Sequence, residues 1–447
     1  MSVEQLEKHY TDLNNHFNVC PSSSDKYKKL VTFNGNKEAP IHRWFNFKEG
    51  FSKNLLQNII NDLKINYPIR KFLDPFVGSG TSLLSWSHLY FDKPYTAVGI
   101  ERNPFIHLVA STKLRWWQYD LDLLERLFNQ IISASPEINE SDLPVLTTYK
   151  NEDYFPKQNL YDLVKLRKSI KQHTHDYPAY KDLFYVALAS IVEDVSNLRK
   201  DGRMVRYSRK ENLPSVYEHF KSKVTEIQDD IYREKSLFDI PLCSTKIING
   251  DSRTISKELK RVHIIPNDFD LILYSPPYLN NFDYTEVYKL ELFMTERLTN
   301  YRKFKRLRQL TLRSHPSIKY PITTFVANNL PKSHKLLKLL LSCINESDKF
   351  KHKKEQIFTG YFDDMYLSLK NQYDILSEDR YAVCVVSNSV HGKNGYYIPV
   401  ATDLILATIA EEIGFKVEKI QVARMITRRF PHPVNRESIL FLKKEAR

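Results

Sequence analysis

Short apolar runs alternate with amphipathic stretches toward both ends of the chain, and this alternation predicts the architecture. Seven short runs have the length and branched-residue content of strands. They are "IRKFLD", "YTAVGIE", "STKIINGD", "DLILYS", "RYAVCVVSN", "FKVEKIQVARM" and "ESILFLKK". Helical patterns follow several of them, including residues 82–90 and "VATDLILATIAEEIG", which stops at Gly414. Strands that alternate with helices usually form a mostly parallel sheet covered on both faces. We therefore predict an α/β fold with a doubly wound, seven-stranded, mostly parallel sheet.

Two long segments interrupt this rhythm and define the predicted organisation. Residues 111–245 are polar and helical in pattern, with few strand signals, and residues 297–360 are strongly basic. Insertions of this size between core elements usually form separate subdomains or binding lobes. The predicted units are an N-terminal extension, three parts of one core, a helical insertion and a basic segment, which in chain order are 1–40, 41–110, 111–245, 246–296, 297–360 and 361–447.

The net charge of +13 is concentrated in one stretch of the chain. Between Arg297 and Lys354 there are 15 lysines and arginines and 2 acids, which leaves 51 basic and 51 acidic residues elsewhere. Aromatic residues are interleaved with these charges, so the stretch can fold and still present a cationic face. Such a face favours a phosphate backbone as its partner, with an ordinary solvated surface as the alternative.

Composition and spacing exclude several classes of protein. No apolar run approaches the roughly 18 residues of a membrane span, and the polar N-terminus has no signal-peptide core. Fourteen histidines show no paired ligand spacing, so we expect no metal. A cytoplasmic location, without a disulfide framework or zinc cluster, fits the four scattered cysteines, Cys20, Cys243, Cys343 and Cys384.

The stretch "FLDPFVGSGTSL" (72–83) ends a predicted strand at Asp74 and opens a helix through Gly78 and Gly80. Glycines allow positive φ and a close approach to a ligand, and helix-start N–H groups favour an anion. Glu101 ends the next strand, where an acid can bind ribose hydroxyls. The full dinucleotide fingerprint and the P-loop lysine are both absent, which argues against a nicotinamide enzyme and an ATPase. A plain strand–helix connection remains the alternative.

Two further strand ends carry candidate chemistry. Asp251, in "NGDSR", is either an acceptor for an adenine amino group or a turn and N-cap residue. The stretch "LILYSPPYLNN" (271–281) stops a strand with two prolines, which have no N–H for the hydrogen-bond ladder. The turn therefore leaves a carbonyl free between the Ser275 hydroxyl and the Tyr278 ring.

In chain order, "DPFVGSGT", "GIERNP" and "LILYSPPY" resemble motifs I, II and IV of the amino-methylating DNA methyltransferases that use S-adenosylmethionine. "NGDSR" stands where motif III of that family belongs, and "HRWFNFKEGFSKNLL" (42–56) resembles its motif X. The Ser-Pro-Pro-Tyr form is typical of the cytosine-N4 branch, whose usual context is a restriction–modification system. The resemblance covers about half of the chain, residues 40–110 and 245–295, with 380–444 matching by pattern. Motifs I and IV lie about 200 residues apart, which leaves the target-recognition region open.

The resemblance implies a role for each motif residue at the cofactor. Asp74 would contact the methionine amino group, directly or through water, Glu101 would hold the ribose, and Asp251 would bind the adenine amine. The complete set expected to bind S-adenosylmethionine is Phe51, Ser52, Asp74, Phe76, Gly78, Gly80, Thr81, Glu101, Asn103 and Asp251.

The catalytic turn implied by the resemblance is Ser275, Pro276, Pro277 and Tyr278. An exocyclic amine is a poor nucleophile because its lone pair is delocalised into the ring. The serine hydroxyl and the Pro276 carbonyl would accept its two hydrogen bonds, and Tyr278 would stack on the base. Neutral serine is a weak base, so its expected role is orientation, not proton abstraction. The base must also be flipped out of the duplex to reach such a site.

The expected macromolecular partner is double-stranded DNA, which would associate the protein with the nucleoid. Residues 111–245 are a second candidate for the recognition lobe, and a cognate restriction endonuclease would be a functional partner. Other acceptors remain open, namely adenine N6 or an RNA amine, and so does an inactive DNA-binding protein on the same fold. About 40 residues precede the motif X stretch, fewer than an added RNA-binding domain needs. The expected DNA contacts are Arg302, Lys303, Lys305, Arg306, Arg308 and Arg313.

Overall fold

A computed structural model describes residues 3–21, 26–201, 204–280, 282–345, 347–393, 396–426 and 432–446. Its strands are β1 (Val19–Cys20), β2 (Lys71–Asp74), β3 (Thr96–Glu101), β4 (Leu198–Asp201), β5 (Met204–Tyr207), β6 (Ser244–Asn249), β7 (Phe269–Tyr274), β8 (Leu376–Ser387), β9 (Ser389–Lys393), β10 (Tyr396–Val400), β11 (Lys416–Met425) and β12 (Arg436–Lys444).

The helices occupy both faces of the central sheet and fill the two insertions. They are α1 (Val3–His16), α2 (Lys26–Leu30), α3 (Leu55–Asp62), α4 (Thr81–Leu89), α5 (Pro104–Leu114), α6 (Leu121–Ser133), α7 (Lys157–His173), α8 (Pro178–Ile191), α9 (Val216–Leu237), α10 (Ile255–Arg261), α11 (Tyr284–Val287), α12 (Lys289–Met294), α13 (Tyr301–Leu310), α14 (Phe325–Asn329), α15 (Pro331–Ser342), α16 (Lys351–Ile375) and α17 (Thr402–Ile413).

The central sheet has the strand order β1-β11-β12-β8-β7-β2-β3-β6. Strand β12 is antiparallel to β11 and β8, and the remaining neighbours are parallel. The predicted fold class is therefore confirmed, with all seven predicted strands in the sheet. The eighth strand, β1, pairs two residues with β11 and is too short to leave a pattern in the sequence.

The order of the parallel strands creates a crevice at one edge of the sheet. From β2 the chain passes outward through β3 to β6, and it then returns to β7 on the other side of β2. The boundary between β2 and β7 is thus a topological switch point, where ligands of open α/β sheets bind beyond the carboxyl ends of the strands. The sequence motifs after β2, β3, β6 and β7 all lie at this edge.

Strand alternation divides the core into two apolar clusters, one on each face of the sheet. Along β7, Leu271 and Leu273 enter one cluster, whereas Ile272 and Tyr274 enter the other. Helices α6 to α9 of the helical insertion pack on one another, and α8 packs on α5, so their apolar side chains belong to the first cluster. The second cluster is covered by α16 and α17 together with α1.

Two of the expected boundaries divide parts that are continuous in the fold. The segment 1–40 is joined to the core because β1 pairs with β11 and Tyr10 Oη donates to the Pro399 carbonyl at 3.3 Å. The boundary at residue 360 falls inside α16. The excess of positive charge ends near that point, but the buried face of the helix continues through it with Tyr361 and Phe362.

A buried chain of charges connects the basic segment to the core. Arg253 donates to Asp251 Oδ2 at 2.7 Å and to Asp364 Oδ1 at 3.2 Å, and Arg313 donates to the same Asp364 oxygen at 2.7 Å. Arg313 is 3% exposed, so its charge needs a partner inside the protein. These ion pairs anchor the segment after α13 to α16 and to the loop after β6.

Two of the expected DNA contacts are corrected by these ion pairs. Arg313 is buried against Asp364, and Arg308 donates to Asp283 Oδ2 at 2.6 Å with its guanidinium over the Phe304 ring. Arg308 follows Phe304 by four residues, so both lie on the buried face of α13. We remove both arginines from the set proposed to contact DNA.

The charge chain leads to a stability prediction. Truncation of Arg313 to alanine leaves Asp364 with one cation fewer in the interior, and breaking a buried pair typically costs about 3–5 kcal/mol. We expect Arg313→Ala to lower the thermal unfolding midpoint by several degrees. Arg306→Ala, an exposed arginine on the same segment, is the control and is expected to change stability by less than about 0.5 kcal/mol. Equal midpoints for both variants would contradict the structural role of Arg313.

Candidate active site

A cleft opens at the switch point, with a volume of about 860 Å³ including the solvent at its mouth. It brings together seven of the residues expected from sequence motifs that lie up to about 200 positions apart. These are Phe76, Gly78, Glu101, Asn103, Asp251, Ser275 and Pro277. The rest of its wall is formed by Phe47, Glu49, Pro75, Ile100, Arg102, Ile106, Gly250, Ser252, Tyr284, Thr285, Leu310, Thr311, Leu312, Ser314 and His315.

The glycine turn after β2 requires both of its glycines. Gly78 has φ +52° and Gly80 has φ +88°, in the left-handed region that side chains disfavour. A Cβ on Gly78 would lie 3.0 Å from the Phe47 ring, and one on Gly80 would lie 3.3 Å from Ala110 Cα. Gly78 lines the cleft, whereas Gly80 and the buried Thr81 lie behind it, where they allow α4 to approach α5.

Asp74 supports the glycine turn from behind the cleft wall. Its Oδ1 accepts from the Phe76 N–H at 2.9 Å, and its Oδ2 accepts from the Ser82 hydroxyl at 2.5 Å. The side chain is 1% exposed and is not part of the cleft lining. Burial raises the pKa of Asp74 to about 7, because these two hydrogen bonds only partly replace water.

Glu101 and Asn103 form a polar wall beyond β3. Glu101 Oε1 accepts from the Asn103 N–H at 2.7 Å, and Asn103 caps α5 through the Phe105 N–H at 3.0 Å. Burial raises the pKa of Glu101 to about 7. Asn103 Nδ2 is buried without a hydrogen-bond partner in the described part of the chain. The wall therefore offers a carboxylate acceptor and an amide donor to a ligand.

Asp251 contributes an ionised carboxylate to the same cleft. Burial opposes its ionisation, but hydrogen bonds from Arg253 outweigh that effect and hold the pKa of Asp251 below its ordinary value. Arg253 binds both oxygens of the carboxylate, with the Nε contact at 2.9 Å. Carboxylate oxygens keep further lone pairs, so Asp251 can still accept from an amino group in the cleft.

The stretch resembling motif X contributes to the cleft through other residues than expected. Phe51 is buried in the core, and the Ser52 N–H donates to the Leu30 carbonyl at 2.8 Å, so neither side chain lines the cleft. Phe47 and Glu49, a few residues earlier, line it instead. The sequence pattern identified the segment but could not show which side of this irregular turn faces the sheet edge.

The proline turn after β7 presents Ser275 and Pro277 to the cleft, whereas Pro276 and Tyr278 lie outside its lining. The Ser275 hydroxyl donates to Tyr278 Oη at 3.2 Å, and the Tyr278 hydroxyl donates to Glu437 Oε1 at 2.7 Å. These two hydrogen bonds direct the serine proton away from the cleft and leave the lone pairs of Ser275 Oγ free to accept a hydrogen bond. It gives Tyr278 an anchoring position behind the serine, in place of the stacking position expected from the sequence.

The far wall of the cleft comes from the end of α13 and the following loop, which the sequence motifs did not indicate. Asp283 caps α11 and also binds Arg308, and His315 Nδ1 lies 3.5 Å from Asp283 Oδ2. Tyr284 and Thr285, which follow Asp283, line the cleft directly. Asp283 thus connects the start of α11 to α13, and the only sequence signal for this wall was its closeness to the proline turn.

Within the described ranges, no cluster of three or more histidine, cysteine or acidic side chains is arranged to hold a metal ion. None of the helices in those ranges combines the length and apolar content needed to cross a membrane.

Relatives of this chain that align over most of its length come from several bacteria. The Type II methyltransferase M.BsoBI of Geobacillus stearothermophilus is 26% identical over 434 residues, covering 88% of this chain and 82% of the relative. The Type II methyltransferase M.AvaI of Nostoc sp. is 27% identical over 432 residues, with 88% and 83% covered. This chain is therefore similar to Type II methyltransferases along most of its length. The M.MvaI enzyme of Kocuria varians, at 24% identity over 280 residues, covers 57% of each chain.

The comparisons with family models and with solved structures give weaker results. No family model matches the chain. A solved structure, the rRNA methyltransferase aviRa from Streptomyces viridochromogenes, aligns over 92% of this chain and 86% of its own at 10% identity. Its TM-score is 0.27, which is too low to support a detailed comparison.

The buried position of Asp74 leads to a prediction about pH. Its pKa of about 7 in the folded chain exceeds its ordinary value of 3.8, so the unfolded state ionises first as pH rises. The contribution of this group to stability is therefore present below about pH 4 and is lost progressively up to about pH 7. We expect Asp74→Asn, which cannot ionise, to gain thermal stability relative to the unsubstituted protein as the pH rises from about 5 to about 8.

Thermal unfolding midpoints at the two pH values measure this difference without any ligand. Asp92→Asn, at an exposed loop position, is the matched control and is expected to show no such gain. A constant difference between Asp74→Asn and the unsubstituted protein across this pH range would show that Asp74 ionises as readily as in water.

Proposed function

We propose that the protein transfers a methyl group from S-adenosylmethionine to the exocyclic N4 amine of a cytosine flipped out of double-stranded DNA. The observation that carries this proposal is the position of Ser275 in the same cleft as Glu101, Asn103 and Asp251. The alignment with Type II methyltransferases over 88% of the chain supports the reaction class. The cytosine assignment rests on the serine of the Ser-Pro-Pro-Tyr turn.

The cleft residues fit an adenosine-containing cofactor. Glu101 can accept from ribose hydroxyls, Asp251 can accept from the adenine amine, and the free donor of Asn103 matches a ring nitrogen. Gly78 keeps the wall open beside these groups because any side chain there would meet Phe47. When bound, S-adenosylmethionine supplies a methyl group activated by its sulfonium charge.

The proline turn can orient the amine for attack. Ser275 Oγ accepts one N–H of the amine, because its own proton is committed to Tyr278, and a carbonyl of the rigid proline turn accepts the other. Two acceptors hold the amine with its lone pair directed toward the methyl group. After the transfer, the methylated amine carries a positive charge and loses one proton to solvent water. The neutral serine accepts the N–H only in a hydrogen bond and does not act as the base.

The exposed face of α13 is the proposed DNA contact. Arg302, Lys303, Lys305 and Arg306 are exposed, whereas Phe304 and Leu307 hold the helix to the protein. The helix ends at Leu310, where the chain enters the wall of the cleft. Phosphates bound along α13 would therefore lie beside the entrance through which a flipped base reaches Ser275.

The biological context proposed is a restriction–modification system, with a cognate endonuclease as a functional partner. It follows from the Type II designation of the relatives. Helices α6 to α9 and the β4–β5 hairpin are a second candidate for target recognition, since the hairpin packs against α11 next to the proline turn.

The base and the site of methylation can be tested together in cells. DNA from cells expressing the protein is expected to carry N4-methylcytosine at one sequence, detected by methylation-aware sequencing. Ser275→Ala is expected to abolish the mark, because the amine loses an acceptor in the cleft, while binding of S-adenosylhomocysteine to the purified variant stays within about twofold. Ser236→Ala, an exposed serine on α9, should leave the mark unchanged.

Different outcomes correct different parts of the proposal. If the DNA carried N6-methyladenine at one sequence and Ser275→Ala abolished that mark, the active site would stand as proposed and the target base would be adenine. Full methylation by Ser275→Ala would remove this turn from catalysis. Absence of any DNA mark, with cofactor binding intact, would favour an RNA acceptor or an inactive DNA-binding protein.

The α13 surface leads to a separate prediction for DNA affinity. Reversal of three charges in Arg302→Glu, Lys305→Glu and Arg306→Glu should weaken DNA binding. It should also reduce the slope of log K against log salt by about 0.9 for each phosphate that the protein no longer neutralises. The control reverses Lys332, Lys335 and Lys338, which are exposed on α15, a helix that packs on α17.

The two triple variants have the same net charge, so the comparison separates location from overall charge. Titrations of a labelled duplex at several salt concentrations give both affinity and slope. Equal losses in the two variants would indicate a general charge effect, and an unchanged slope in the α13 variant would direct attention to residues 111–245.

A further inference from the structure

Three carboxylates line the cleft within the described part of the chain, and only two of them have partners that suit their proposed roles. Glu101 is held by the Asn103 N–H, and Asp251 is held by Arg253. Glu49 accepts a hydrogen bond from the Tyr288 hydroxyl at 2.5 Å, and no ion pair joins it to a described lysine, arginine or histidine. Among the described residues, Asp251 is the one of these three acids with a cationic partner. Glu49 and Glu101 have none, and Glu49 is the acid to which the proposed function gives no role.

A cation is the ligand that such a site accommodates best. A carboxylate removed from water without a counter-charge is costly, and a ligand ammonium group supplies that charge together with hydrogen-bond donors. Two lysines lie near enough to act on Glu49 electrostatically: Lys200 and the exposed Lys48. Lys200 is paired with Glu291 and lies over the Tyr288 ring, 4.6 Å from its centre. Burial also raises the pKa of Glu49, which a bound cation would reverse.

Asp74 is poorly placed for the role that its motif implies. Both of its oxygens already accept hydrogen bonds inside the turn, and the side chain does not line the cleft. An ammonium group could reach it only if the turn opened, because the Asp74 side chain is 1% exposed. Glu49 needs no such rearrangement.

We propose that Glu49, and not Asp74, binds the ammonium group of the amino-acid part of S-adenosylmethionine. This assignment rests on the proposed function, since it concerns the same cofactor. It adds a binding residue outside the glycine motif and limits Asp74 to holding the turn.

The surroundings of Glu49 connect it to the glycine turn. The Phe47 ring lies against Gly78, and it stacks on Tyr288 with 5.6 Å between ring centroids and 23° between planes. Tyr288 in turn donates to Glu49. Two aromatic rings therefore connect the Glu49 carboxylate to the glycine turn. Both the carboxylate and the turn line the same cleft as Asp251 and Asn103, which supply the polar groups suited to the adenine.

Two ligands that differ by the amino-acid part test the assignment. S-adenosylhomocysteine carries the ammonium group, and 5′-methylthioadenosine has the same adenosine and sulfur without it. Titration calorimetry on the purified full chain gives Kd for both. For Glu49→Gln we expect S-adenosylhomocysteine to bind about tenfold or more weakly, because a charged hydrogen bond becomes neutral, with 5′-methylthioadenosine within about twofold.

Asp74→Asn is the matched comparison, since it makes the same change at the residue that the motif favours. It is expected to alter binding of both ligands by the same factor, because it acts through the turn. Glu49→Asp, which keeps the charge on a shorter side chain, is expected to lose less affinity for S-adenosylhomocysteine than Glu49→Gln and provides the test should the latter fail to fold.

The outcomes separate this assignment from the proposed function. Equal loss of both ligands in Glu49→Gln, or selective loss of S-adenosylhomocysteine in Asp74→Asn, would overturn the role of Glu49 while leaving a cofactor-binding protein. If the unsubstituted protein bound neither ligand, the proposed function would be overturned and this assignment with it.

Discussion

The cost of desolvating carboxylates at one edge of a parallel sheet is the constraint on which the rest of this structure depends. Strands β2, β3, β6 and β7 end side by side, and an acid follows or ends three of them. Burial raises the pKa values of Asp74 and Glu101 to about 7, whereas Arg253 keeps Asp251 ionised. Each acid is therefore stabilised by a different local partner, and those partners determine which acids remain available to a ligand.

The same constraint divides the basic segment into two parts. Asp283 and Asp364 are buried near the cleft, and they draw Arg308 and Arg313 into the interior as counter-charges. The four exposed cations of α13 lie on the opposite face of that helix, so their charge extends into solvent, where a polyanion can use it. The basic segment thus has two parts. Its buried arginines support the cleft wall, and its exposed cations form a candidate DNA surface.

A hydrogen-bond chain gives the proline turn its direction. Glu437 lies on β12, which is not next to β7 in the sheet, yet it accepts from Tyr278, which accepts from Ser275. Arg424 on β11 holds the other oxygen of Glu437. The chemistry proposed for one serine therefore depends on two strands from the C-terminal part of the chain.

The sequence by itself determined the fold class, the seven core strands and the segments that meet at the cleft, because strand and helix periodicities and strand-ending motifs are local. Only the tertiary structure decided which side chains line the cleft. Phe47 and Glu49 replace Phe51 and Ser52, Tyr278 lies behind Ser275, and Asp74 lies behind the glycine turn. These outcomes depend on partners such as Tyr288 and Glu437, which lie more than 150 residues away along the chain, and no local pattern specifies such partners.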